Sequence, residues 1–151
     1  MKKLVIILGV MLVALNGFGQ TTPSYRDSNN HVLMNVITVK ELMNELVLNE
    51  RKKNHLYAIF YDQNADSNWI NKSDVEYLMT LIDSKQGAYC LFWSYASMLP
   101  RGESTIGDHA IMMIEAFKYN REYPDESLIC PKYGRKIRKE LKKWWTAEKL
   151  K

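Results

Sequence analysis

The stretch Ala88-Tyr89-Cys90-Leu91-Phe92-Trp93-Ser94-Tyr95-Ala96-Ser97-Met98-Leu99, closed by Pro100, decides the fold class. Nearly all of it is apolar or small, so it is expected inside, and periodicity does not separate a buried helix from a buried strand. Its length exceeds the roughly four to eight residues of a usual strand, which predicts a helix. A second ambiguous run, Leu56 to Tyr61, is too short to assign by period and takes the helical reading of its neighbours.

Those neighbours carry clear helix signals. Thr38-Val39-Lys40-Glu41 is a capping box, in which the Thr hydroxyl takes the N3 amide and Glu41 reaches back to the N-cap amide. Val39, Leu42, Met43 and Leu46 follow at helical spacing, predicting a helix over 39–50. Ser73-Asp74-Val75-Glu76 reads as a second box, with Val75, Leu78, Met79 and Ile82 as its buried stripe and Gly87 at the chain reversal. Ser104 or Thr105 caps a third helix along Ile106, Ala110, Met113, Ile114 and Phe117, ended by Pro124. Glu122 to Tyr133, with two prolines, reads as a loop. The last helix, from about Arg135 to Lys149, has the stripe Ile137, Leu141, Trp144 and Trp145. The expected class is all-α: five to six helices in antiparallel hairpins, compatible with HEAT-like stacking, although no repeat of fixed period is visible.

The whole chain has 151 residues, 46% hydrophobic and 25% charged, which fits one globular domain and excludes a disordered, collagen-like or multi-span membrane protein. Residues 1–19 read as a signal peptide: Lys2-Lys3, the apolar run Leu4 to Leu15, then Gly17-Phe18-Gly19 before Gln20. Residues 20–30 are polar and aperiodic, a flexible N-terminus, and 31–151 form a single helical domain. No transmembrane span is expected in the mature chain, and export to the periplasm or beyond argues against a nucleic-acid partner. Charge is uneven: residues 132–151 hold nine Lys/Arg and two Glu, residues 20–131 ten Lys/Arg and fifteen Asp/Glu. A basic tail on an acidic body reads either as contact with an anionic surface or as a solvated helix face.

Cys90 and Cys130 are the only cysteines. In an exported protein they pair as a disulfide, or Cys90 is simply a small buried hydrophobe. Gln86 to Cys90 and Asp108-His109-Ala110 resemble fragments of papain-like cysteine proteases, which would need the Cys90 thiolate beside the His109 imidazole. Their separation of nineteen residues does not match that family's spacing. No credible catalytic constellation remains, so an enzyme is not expected.

The loop 62–74 resembles an EF-hand or dockerin-type calcium loop, with Asp62, Asn64 and Asp66 at the first three ligand positions and Asp74 as closing acid. Ser67 stands where the turn glycine belongs, and Asp74 lies one residue late. The other reading is an Asn/Asp-rich connection whose side chains bond local backbone. No metal or cofactor is assigned, calcium being the one candidate.

Signal peptide, size, helical pattern and acidic body together resemble the small exported all-helical immunity proteins that neutralise interbacterial toxins. That resemblance implies a protein partner and inhibition by occlusion, a protruding loop entering the cleft of a toxin or hydrolase. The candidate contact residues are Asp62, Asn64, Asp66, Asn68 and Trp69 in one loop, and Arg101, Glu103 and Asp108 in another. A calcium-dependent structural or adhesion module is the alternative.

Overall fold

A computed structural model describes residues 23–48, 58–96, 102–125 and 128–150. The leader expected over 1–19 and the candidate contact residue Arg101 lie outside them. Among the described residues four helices are present: α1 (Val39–Glu45), α2 (Lys72–Leu81), α3 (Ile106–Lys118) and α4 (Arg135–Glu148). Five short strands accompany them: β1 (Ala58–Tyr61), β2 (Gly87–Ala88), β3 (Cys90–Trp93), β4 (Ser104–Thr105) and β5 (Leu128–Ile129). The chain is therefore mixed α/β, which overturns the all-α expectation of five to six helices and the HEAT-like stacking with it.

The correction lies in the two ambiguous runs. Cys90, Leu91 and Phe92 are buried in succession because β3 is the middle strand, parallel to β1 on one side and antiparallel to β5 on the other. A strand covered on both faces shows a continuous apolar run instead of alternation, so length misassigned it. β1, rich in the β-branched and aromatic types that suit a pleated surface, pairs Ile59 with Leu91 and Tyr61 with Trp93. Val32 bridges to Tyr61 beyond β1, extending the sheet. The predicted loop over 122–133 contains β5. A second two-stranded ribbon pairs Gly87 with Thr105 and Ala88 with Ser104. Parallel β1 and β3 need a long crossover, and α2 supplies it.

Local signals fared better. Thr38 caps α1 with both halves of the predicted box, although the helix stops at Glu45. The cap of α2 sits two residues upstream of the predicted one: Asn71 Oδ1 accepts from the Ser73 and Asp74 amides, and Asp74 accepts from the Asn71 amide. Thr105 caps α3, which ends well before Pro124, where Asn120 takes a left-handed φ of 50°. Tyr25 and Arg26, expected in a flexible segment, both bond Glu45 at the end of α1.

α3 is the central helix, buried on nearly every side and packed against α1, α2 and α4. Leu42, Leu78, Leu91, Ile111, Ile114 and Leu141 are fully buried in one continuous core. Cys90 and Cys130 form a disulfide with a Cα–Cα distance of 4.7 Å. Continuing the register of Leu91 with Ile129 places the two cysteines directly opposite each other, so the bond closes β3 onto the end of β5. No helix among the described residues is long and apolar enough to cross a membrane.

Candidate functional site

The carboxyl ends of β1 and β3 lie side by side, and the chain leaves both toward the same edge of the sheet. Crevices outside the carboxyl ends of parallel strands are where α/β sheets bind ligands. Here the edge opens into a cleft of about 470 Å³ lined by Tyr61, Asp62, Gln63, Asn64, Trp93, Glu122 and Asp125.

Each wall is fixed by identifiable bonds. The indole of Trp93 donates to the Asp62 carbonyl at 2.9 Å, joining the ends of the two strands. Ala65 and Tyr123 exchange backbone hydrogen bonds of 2.7 and 3.1 Å, which brings Glu122 and Asp125 against the 62–69 loop. The Asn64 amide donates to Glu122 at 3.4 Å across the cleft. Beneath the loop, Trp69 stacks on Tyr123 with centroids 5.7 Å apart and donates its indole N–H to the Ile37 carbonyl at 2.8 Å.

The cleft is acidic and aromatic. It holds three carboxylates, Asp62, Glu122 and Asp125, and among the described residues Asp125 pairs with Arg121 at 2.8 Å. Trp93 is 38% exposed and the neighbouring Tyr95 73% exposed, their rings edge to face at 5.6 Å. Burial, with Asp125 nearby, pushes the Tyr61 phenol up to about 12, so it stays neutral at physiological pH. Carboxylates beside exposed aromatic rings form a receptor for a cationic group, combining ion pairing with attraction to the ring faces.

The candidate contact residues divide. Asp62 and Asn64 line the cleft, while Asp66 and Asn68 are exposed on the same loop outside its walls. Trp69 is half-buried, packs against the core and donates its indole N–H inward. Glu103 is exposed near the start of β4. Asp108 is buried, accepts from the Thr105 hydroxyl and Tyr133 amide, and pairs with Arg138. Sequence reasoning missed Trp93, Glu122 and Asp125, because nothing local links them to the 62–69 loop.

Two chemical expectations meet clear geometry. Asp74 of the proposed calcium loop caps α2, and among the described residues no group of three His, Cys, Asp or Glu converges to hold a metal. The Cys90 sulfur is bonded to Cys130 and cannot be a thiolate nucleophile. His109 is fully buried, its Nε2 donating to the Tyr89 carbonyl at 2.9 Å while Nδ1 has no hydrogen-bond partner among the described residues. Burial lowers its pKa to about 4, which keeps the ring neutral.

No protein-family model, curated protein or solved structure matches the chain.

Proposed function

We propose that the protein is an exported binding protein that clasps a cationic group of a protein partner in the cleft at the carboxyl ends of β1 and β3. One observation carries this reading: Asp62, Glu122 and the Arg121-paired Asp125 line one cleft beside the exposed Trp93. Export is supported by the leader-like segment 1–19 and by the Cys90–Cys130 bond, a linkage that persists in oxidising compartments. Inhibition by occlusion follows if the bound lysine or arginine belongs to an active-site rim, since the 62–69 loop would then sit over the partner's cleft. An interface of about 800 Å² per partner suffices, with Trp93 as its aromatic anchor.

The test compares the parent with the Asp62→Asn/Glu122→Gln variant as bait for envelope extract. Both substitutions keep volume and remove charge at positions outside the core. The expected result is a protein retained by the parent, released by salt, and lost from the variant, with the difference largest at low ionic strength. Identical proteins held equally by both baits would refute the assignment.

A further inference from the structure

The cations of α4 fall into two groups. Arg138, Lys142 and Lys149 are committed within the molecule, pairing with Asp108, Asp83 and Glu76 respectively. Arg135, Lys139 and Lys143 are exposed and have no ion-pair partner among the described residues. They stand at successive four-residue steps, so they share one face over about 12 Å of helix. Lys136 lies beside this row, with a 3.9 Å contact to Glu140, and Lys132 is exposed just before the helix. Leu141 and Trp145 mark the opposite, buried face.

One exposed apolar residue lies past the end of the row. Leu150, seven residues beyond Lys143, is 86% exposed. A helix that offers cations along its outer face, with an exposed leucine just past its end, matches an anionic lipid surface. The cations meet headgroups, the leucine side chain enters the acyl boundary, and flexible lysine stems let both happen together. A nucleic acid would use the cations and leave Leu150 without a role.

We infer that the outer face of α4, carried by Arg135, Lys139 and Lys143, together with Leu150 just beyond the helix, docks the protein on the surface of an anionic bilayer. This surface is separate from the acidic cleft and does not depend on what the cleft binds.

The experiment is co-sedimentation of the protein with phosphatidylcholine vesicles, with and without phosphatidylglycerol, at low and near-physiological ionic strength. Binding is expected only to the anionic vesicles and should weaken with salt. The exposed double variant Lys139→Gln/Lys143→Gln should bind about tenfold or more weakly while keeping the parent's melting temperature, since each cation near such a surface counts for several-fold in affinity. Leu150→Ser should weaken vesicle binding and leave the salt dependence intact. Equal sedimentation with neutral vesicles, or no loss in the double variant, would overturn the inference. So would retention by immobilised DNA or polyphosphate without any vesicle binding.

Discussion

Arg138 reaches from α4 into the first turn of α3, where its Nη2 lies 2.5 Å from Asp108 Oδ1 with both side chains nearly out of water. Its Nη1 donates to the Ile82 carbonyl at the end of α2. One side chain therefore ties three helices, and Asp108 returns the bond while helping to cap α3 through Thr105.

Removing one partner should be far worse than removing both. Asp108→Asn leaves a buried guanidinium without its counter-charge and should cost about 3–5 kcal/mol in urea unfolding. The double variant Asp108→Asn/Arg138→Met should lose clearly less than the sum of its single changes. Additive losses would show that the two residues are not energetically coupled.

Gly107 should resist substitution despite lying inside a helix. Glycine to alanine ordinarily gains about 1 kcal/mol of helix propensity. Here an added Cβ would sit 2.6 Å from the Ser84 carbonyl, 2.9 Å from that of Ile82 and 2.8 Å from Arg138. Backbone cannot yield cheaply, so overpacking of about 1–3 kcal/mol should win and Gly107→Ala should lower the melting temperature. A stabilised variant would mean that α2 and α3 are not in this contact.

His109 predicts an acid-sensitive fold. Its pKa falls to about 4 on burial from an unfolded value near 6.5. Below 6.5 the unfolded chain therefore binds a proton that the folded chain refuses. Stability is complete above that pH and declines toward pH 4 by up to about 3 kcal/mol in total. The neighbouring Asp108 opposes the shift without reversing it. Urea midpoints followed across this window should fall with pH in the parent and flatten in His109→Gln. A parallel decline in the variant would assign the effect to other groups.

Reduction should loosen the sheet edge. The Cys90–Cys130 bond closes a loop with a sequence separation of 40, and such bonds stabilise by about 2–4 kcal/mol. Dithiothreitol should lower the melting temperature accordingly, and Cys90→Ala/Cys130→Ala should match the reduced protein. An unchanged melt on confirmed reduction would contradict this.

The sequence by itself determined the features that one helical turn encodes. The Thr38 and Thr105 caps, the stripe from Ile106 through Ile114, and the Leu141–Trp145 face of α4 all arise between residues three or four apart, where side chains meet whatever the rest of the chain does. The pairing of Cys90 with Cys130 was one of two open readings, since a count of two cysteines permits a bond without requiring it. Tertiary structure alone decided the strands and the cleft. β3 is a strand because β1 and β5 border it, and no period in Cys90–Trp93 reports neighbours that arrive from Ala58 and Leu128. Asp62 shares a cleft with Glu122 and Asp125 where Ala65 pairs with Tyr123, and it meets Trp93 through the parallel register with Tyr61. Those contacts join residues tens of positions apart, and their geometry comes from strand pairing, which is a property of two segments and is written in neither one.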